Sequence, residues 1–227
     1  MLIIFDLDDT LIDTSGCIIP VKLEEALQRM IEMGLFVPDF QEAAALIKRL
    51  DRASESSQRT LSEFLEIMNA DKRFLEAGLK EVYENFSPEL FAAPLENALQ
   101  VLNDLGELHR LALVTVGKEE QQHNKLKKAG IDSGIFSKII VSETANKMPH
   151  YQLIIDEFGY APSEVIVCGD RVERDLAPAR ELGCRTVQMR WGRGLSSTGK
   201  IGDVDYYISN LSELKEIIEK IDSFSSF

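Results

Sequence analysis

The chain begins with an apolar run that leads directly into carboxylates. Residues Leu2 to Phe5 are all apolar, and such a short run predicts a strand that is buried on both faces. Asp6 and Asp8 follow at once. Ligands of open α/β sheets bind at the carboxyl ends of strands. Two carboxylates at this spacing repel each other unless a cation or a proton lies between them, so the segment predicts a Mg²⁺ and phosphate site.

The next part of the chain has the apolar spacing of helices and no strong strand signal, from about residue 21 to residue 85. Breaks at 34–38 and 54–57 separate the helical stretches. A bundle inserted after the first strand is therefore expected, with the return near Asn85–Pro88. The predicted helices cover 23–31, 41–50, 61–68 and 74–83.

The remainder alternates between short apolar strands and helices, several of which end at a glycine. This alternation indicates crossover connections and a parallel sheet with helices on both faces. The predicted fold is therefore α/β, with a doubly wound parallel sheet and an inserted helical bundle. The predicted strands cover 111–116, 138–142, 165–168, 185–189 and 205–208, and the predicted helices cover 95–105, 119–129, 150–158, 173–182 and 211–221.

Charge and composition restrict the partners of a chain of 227 residues with a net charge of −13. Such an acidic surplus disfavours nucleic acids and anionic membranes, which require Lys and Arg. It still allows a small phosphorylated metabolite that is held locally by a metal ion and one or two cations. No apolar stretch has the length of a membrane span and no secretory leader is visible, so we expect a cytoplasmic protein, as a monomer or homodimer. The three cysteines are expected to be reduced thiols.

Polar residues with possible chemistry fall at the ends of four predicted strands. Asp6 and Asp8 follow the first strand, and Thr115 ends the second. Lys147 lies beyond the third, and Asp170 follows the fourth, with Asp175 five residues later. Each signal is weak alone, but their joint occurrence at one sheet edge predicts an active site.

In these motifs the chain resembles the haloacid dehalogenase-like (HAD) superfamily of phosphohydrolases. Motif one matches at Asp6-Leu7-Asp8-Asp9-Thr10, motif two at Thr115, motif three at Lys147, and motif four at Gly169-Asp170 with Asp175. The resemblance implies a Rossmann-like core domain at 1–14 and 90–227. It also implies that residues 15–89 are a helical cap domain.

The resemblance implies a Mg²⁺-dependent phosphatase acting on a small phosphomonoester. Asp6 would attack phosphorus and form an aspartyl-phosphate. Mg²⁺ would be held by Asp6, Asp170 and the main-chain carbonyl of Asp8, and the Asp8 side chain would act as general acid and base. Thr115 would hold phosphoryl oxygens, Lys147 would supply positive charge, and Asp175 would orient Lys147 or a metal-bound water.

The chain departs from the family pattern in places. Val116-Gly117 replaces the usual Asn-Gly, so a contact to substrate there would come from the backbone of Gly117. The proline after Lys147 is shifted by one place to Pro149, which leaves Lys118 and Lys138 as rivals for motif three. Arg171 and Arg193 are further candidates for substrate binding, although each can equally be a solvated surface residue.

Other functions remain open at this point. A phosphosugar mutase would use the same intermediate and return the phosphoryl group to a sugar. A non-enzymatic phospho-acceptor switch also combines acidic residues, a Thr and a Lys on a doubly wound sheet, but it lacks a helical insert after the first strand. A member that has lost catalysis is disfavoured because Asp6, Asp8, Thr115 and Asp170 are all present.

Overall fold

The computed structural model describes residues 1–85 and 90–224, without the side chains of 223 and 224. The predicted return at Asn85–Pro88 therefore lies largely outside the described residues, and so does most of the loose tail that the sequence also predicts at 223–227. The chain divides into two compact units. The sheet unit comprises Met1–Asp13 and Ala92–Phe227, and the helical unit comprises Thr14–Phe91.

The helical unit has four α-helices in its described part and a core of its own. A π-helical turn at Thr14–Ile18 precedes α1, and Pro20 occupies the first turn of α1, where its missing N–H costs no helical hydrogen bond. The side chains of Asp39 and Ser56 cap the next two helices. The helices are α1 (Ile19–Glu32), α2 (Phe40–Arg52), α3 (Ser57–Ile67) and α4 (Arg73–Tyr83). Their core includes Leu23, Leu27, Met30, Ile47, Leu61 and Phe64.

The sheet unit is built on six parallel strands in the order β3-β2-β1-β4-β5-β6. The chain proceeds outward from β1 to β3 and then returns to the other side of β1 with β4. The point where the strand order reverses therefore lies between β1 and β4, which is where such sheets bind ligands. The strands are β1 (Leu2–Phe5), β2 (Arg110–Val116), β3 (Lys138–Ser142), β4 (Val165–Gly169), β5 (Arg185–Met189) and β6 (Tyr206–Ile208).

Helices cover the sheet, and the α/β prediction with a doubly wound parallel sheet is confirmed. Leu2 and Ile4 pack with residues of α7 and α8, whereas the alternate residues Ile3 and Phe5 are buried on the opposite face. Among the described residues, no helix is both long enough and apolar enough to span a membrane. The helices of this unit are α5 (Ala98–Leu108), α6 (Glu119–Lys128), α7 (Met148–Phe158), α8 (Ala177–Glu181) and α9 (Ser212–Phe224).

α1 and α3 begin four residues before their predicted starts at 23 and 61, and two predicted helices of the sheet unit differ from the structure for local reasons. The helix predicted at 95–105 begins only at Ala98, because Asn97 has a left-handed backbone with φ of +64°. The stretch predicted as a helix at 173–182 is helical, but its first turn is not an α-helical turn. Residues Val172–Leu176 form a π-helical turn, and α8 follows at Ala177–Glu181.

Candidate active site

The nucleophile candidate lies where β1 ends beside β4. The N–H of Asp6 donates to the carbonyl oxygen of Cys168 at 2.9 Å, so strand pairing continues to Asp6 and fixes its backbone. The chain then turns sharply, because Asp9 has a left-handed backbone with φ of +57°, a conformation that Asp tolerates better than most residues. The Asp6 carboxylate is therefore held at the switch point with only 7% of the residue exposed.

Lys147 joins two carboxylates inside the site. Its Nζ lies 2.5 Å from Asp6 Oδ1 and 2.6 Å from Asp175 Oδ1, and all three side chains are buried. Lys118 is exposed before α6, and Lys138 pairs with Glu157 at 2.9 Å. Of the three lysines considered for motif three, Lys147 is thus the one that the structure places against Asp6.

The π-helical turn after β4 brings Asp175 back toward the end of that strand. The backbone N–H of Arg171 donates to Asp175 Oδ2 at 2.9 Å. A Cβ atom at Gly169 would lie 2.6 Å from Asp175 Cβ, closer than real contacts allow. Glycine at the end of β4 therefore provides the space in which Asp175 meets Lys147.

Burial and mutual repulsion act on the ionisation of this group. Burial raises the pKa of Asp6 to about 7, with contributions from Asp175 and Asp8, although Lys147 opposes the rise. Burial, Asp175 and Asp6 raise the pKa of Asp170 well above its ordinary value. Burial alone would lower the pKa of Lys147, but the charges of Asp175 and Asp6 outweigh it and raise that pKa.

The carboxylates fit a hard divalent cation. Asp6, Asp170 and Asp175 each offer an oxygen, and within the described part of the chain these three oxygens lie within 4.8 Å of one another. Burial, together with the neighbouring carboxylates, raises the pKa of both Asp6 and Asp170, and a divalent cation would favour their ionised forms. Both oxygens of Asp175 already accept hydrogen bonds, from Lys147 and from the Arg171 backbone. Asp6 and Asp170 are therefore better placed than Asp175 to be metal ligands. Asp175 instead contacts Lys147 and the backbone of Arg171.

Two residues that the sequence did not single out contact Asp8, and one of them, Gln122, also contacts Thr115. Gln122 Nε2 lies 2.9 Å from Asp8 Oδ2 and 2.6 Å from Thr115 Oγ1. Lys125 Nζ lies 2.7 and 3.0 Å from the two carboxylate oxygens of Asp8. The available signal was their spacing of three residues on the helix that follows Thr115, which places both on one helix face.

The remaining candidates for substrate binding lie in loops of the sheet unit. The N–H of Gly117 donates to the carbonyl oxygen of Ser142 at 2.9 Å. Arg171 and Arg193 are partly exposed. Roles of these three residues toward a substrate stay predictions.

The loop that carries Arg193 is fixed against the end of β4. Gln188, buried in β5, donates to the carbonyl oxygens of Asp170 and Gly194 at 3.2 and 3.0 Å. Trp191 Nε1 donates to Asp13 Oδ1 at 2.8 Å. Sequence reasoning gave no role to Gln188, whose signal is a polar residue in an otherwise buried strand.

Comparison with known proteins identifies the family. The model of the family "haloacid dehalogenase-like hydrolase" matches residues 3–189, which is most of the chain. The protein belongs to this family. The predicted superfamily and hydrolase class are thereby confirmed.

Similar proteins extend over nearly the whole chain. A glyceraldehyde 3-phosphate phosphatase of Methanocaldococcus jannaschii is 29% identical over 235 residues, covering 96% of this chain and 97% of the relative. A protein of the same name from Pyrococcus furiosus is 27% identical and covers 96% of this chain and 92% of the relative. A structure described as a "predicted phosphoglycolate phosphatase" from Haemophilus somnus has the same fold, with a TM-score of 0.68, 18% identity and coverage of 96% of this chain and 97% of that one.

Proposed function

We propose that this HAD-like hydrolase is a Mg²⁺-dependent phosphatase that hydrolyses a small phosphomonoester through an aspartyl-phosphate on Asp6. The observation that carries the proposal is the buried contact of Lys147 with both Asp6 and Asp175, beside Asp170, at the switch point of the sheet. Family membership and relatives named as phosphatases support phosphoric monoester hydrolysis. Those names make glyceraldehyde 3-phosphate the first natural substrate to test.

In the first step a carboxylate oxygen of Asp6 forms a bond to phosphorus while the bond from phosphorus to the leaving oxygen breaks. Asp8 donates its proton to that leaving oxygen. Thr115 holds a phosphoryl oxygen, since its hydroxyl accepts from Gln122 and keeps its own hydrogen for donation. Lys147 offsets negative charge on Asp6 and on the transferring group.

In the second step a water attacks the phosphorus of the aspartyl-phosphate, and the bond between phosphorus and Asp6 breaks. Asp8 takes a proton from the water, so each of its two roles restores the state required for the other. Asp175 keeps Lys147 in place through the 2.6 Å contact. Asp6 and Asp170, with the main-chain carbonyl of Asp8, would hold Mg²⁺, which supplies charge neutralisation so that an anionic nucleophile can approach an anionic phosphate.

The test is hydrolysis of p-nitrophenyl phosphate and glyceraldehyde 3-phosphate with and without Mg²⁺. Asp6→Asn keeps the shape of the side chain and removes the negative charge that makes its oxygen a nucleophile, so we expect turnover to fall at least about a thousandfold. The matched control is Asp104→Asn, the same chemical change at a carboxylate that pairs with Lys215 far along the chain. Rapid acid quenching of wild type should trap a hydroxylamine-sensitive phosphoryl group that Asp6→Asn lacks. Turnover that survives in Asp6→Asn would contradict the proposal.

A further inference from the structure

Two side chains of α6 hold the Asp8 carboxylate: Gln122, which also contacts Thr115, and Lys125, which contacts Asp8. We call this pair the α6 clamp. Gln122 is 2% exposed and contacts Asp8 Oδ2, Thr115 Oγ1 and the carbonyl oxygen of Val116 through one amide nitrogen. Lys125 contacts both Asp8 oxygens, and its side chain is only 17% exposed. Through Gln122 the clamp thus joins the group that transfers protons in the proposed mechanism to the group that holds a phosphoryl oxygen.

We propose that the α6 clamp positions the Asp8 carboxylate for proton transfer and sets its place relative to Thr115. This inference rests on the proposed phosphatase function and adds two residues to it. Gln122 and Lys125 are positioning residues, because they act through Asp8 and Thr115.

The first reason is geometric. A carboxylate on a turn can rotate about two side-chain bonds, and proton transfer requires one oxygen within hydrogen-bond reach of the leaving oxygen. Hydrogen bonds in which both partners are charged are shorter and about twice as strong as neutral ones. Lys125 supplies two such contacts as the Asp8 carboxylate becomes ionised on giving up its proton, and Gln122 holds Oδ2 from a second direction in either protonation state. Both residues belong to one helix, and a site held by a regular element keeps its geometry better than one held by loops.

The second reason is the shape of the turn before α6. Gly117 has φ of +150°, and a Cβ atom there would lie 3.2 Å from Gln122 Cδ. Glycine therefore gives the Gln122 side chain room to reach Thr115. The hydrogen bond from the Gly117 N–H to the Ser142 carbonyl holds that turn. Gly117, the second residue after Thr115, therefore leaves space for the Gln122 side chain of the clamp.

The proposal is tested with Lys125→Met, Gln122→Leu, Lys125→Arg and the control Lys127→Met. Lys127 lies two residues further along the same helix and is exposed, so its substitution removes the same charge without touching the clamp. The substrates are p-nitrophenyl phosphate and phenyl phosphate, which have nearly the same shape. Phenolate is the poorer leaving group and depends on protonation by Asp8, whereas p-nitrophenolate leaves with little help.

The expected result is a loss that depends on the leaving group. We expect Lys125→Met to lower kcat/KM for phenyl phosphate about 30- to 100-fold, and for p-nitrophenyl phosphate less than about 5-fold, since general acid catalysis contributes about 10²–10⁴. Gln122→Leu also releases Thr115, so it should lower kcat/KM for both substrates, with the larger loss on phenyl phosphate. Lys125→Arg should recover most of the loss, because a guanidinium can contact both oxygens of a carboxylate. Lys127→Met should match wild type on both substrates.

Equal losses on the two substrates, or no loss on either, would overturn the inference, because a purely structural role lowers the active fraction without regard to the leaving group. Failure of the proposed phosphatase function would give a different kinetic result. Asp6→Asn would then turn over both substrates like wild type, or wild type would turn over neither, and the clamp would fall with the phosphatase proposal.

Discussion

At the scale of single residues, the site contains more buried acidic groups than buried basic groups: Asp6, Asp170 and Asp175 against Lys147. Asp6 and Asp170 are 7% and 3% exposed, and burial together with the neighbouring carboxylates raises the pKa of both. When the pKa of a carboxyl group is raised in the folded protein, its contribution to the free energy of unfolding is largest at low pH. That contribution decreases as the pH rises. For Asp6 this loss lies between its ordinary pKa of 3.8 and about 7.

This imbalance predicts a stability that depends on pH and Mg²⁺ together. Between about pH 4 and pH 7 the unfolded chain has released the Asp6 proton and the folded protein still holds it, so metal-free protein should lose stability as pH rises. A bound divalent cation favours the ionised carboxylates, so Mg²⁺ should raise Tm by several degrees at about pH 8 and much less at about pH 5. Calorimetry in chelator and in Mg²⁺ measures both effects.

The variant Asp170→Asn isolates the carboxylate contribution in the same experiment. It removes one of the buried charges, so metal-free Asp170→Asn should lose less stability than wild type between about pH 5 and pH 8. It should also lose the Tm increase that Mg²⁺ gives, whereas the surface variant Asp104→Asn keeps it. A Tm increase by Mg²⁺ that is the same at both pH values, or that persists in Asp170→Asn, would contradict the assigned ligand.

At the scale of elements, the ends of β1, β2 and β4 decide where the functional groups lie. β4 ends at a glycine, and the π-helical turn that follows has one residue more per hydrogen-bonded loop than an α-helix. This wider turn returns Asp175 beneath the end of β4. The sequence pattern of this stretch is that of an ordinary helix, and helical periodicity does not distinguish an α-turn from a π-turn over five residues.

A methyl group at the end of β4 should therefore damage the site. Gly169→Ala would place Cβ 2.6 Å from Asp175 Cβ, so Asp175 must move away from Lys147. We expect a loss of about 1–3 kcal/mol in the free energy of unfolding, and a fall in kcat of at least about tenfold because a displaced Lys147 holds Asp6 poorly.

The control for this variant is Gly130→Ala, at the end of α6. Gly130 has φ of +69° and open space around the position of a Cβ atom, so alanine there strains the backbone by about 1 kcal/mol without touching Asp175. Urea unfolding and kinetics on the folded fraction separate the two effects. Equal activity in Gly169→Ala and wild type would show that Asp175 does not hold Lys147 in its working position.

At the scale of the whole molecule, the chain forms two units with separate hydrophobic cores. The helical unit buries its own residues, with Phe64 at its centre and fully buried, and the sheet unit buries Leu2, Ile4 and the strands beside them. Segments with separate cores can open separately, with different free energies. The assignment of residues 15–89 as a cap stays a prediction, and we infer that this unit carries the selection of substrate.

Separate cores predict local unfolding that amide hydrogen exchange can resolve. Phe64→Ala leaves a cavity and should cost about 3–5 kcal/mol. We expect faster exchange in α1 to α4, with β1, β2 and β4 still protected. The control is Phe36→Ala, the same substitution at a side chain that is 81% exposed, and it should change neither region. A uniform loss of protection across both units would show that they unfold as one.

The sequence by itself determined the parallel sheet, the helical insert and the motif residues, because short-range patterns carry that information. The apolar run at Leu2–Phe5 and the glycines at helix ends have local meaning, and β1 and β3 begin and end where they were predicted. The site residues were predicted because they follow strands whose ends meet at one edge: Asp6, Asp8, Thr115, Lys147, Asp170 and Asp175.

Tertiary structure alone decided which of these groups touch. The contact between Lys147 and Asp6 joins residues 141 positions apart, and the contact between Lys125 and Asp8 joins residues 117 positions apart. No local pattern of apolar and polar residues distinguished Lys147 from Lys118, or Lys125 from Lys127. A lysine has the same secondary-structure propensity whether its charge is solvated or paired in the interior. The packing of strands and helices decides that, since it determines which charges lose water and must find a partner.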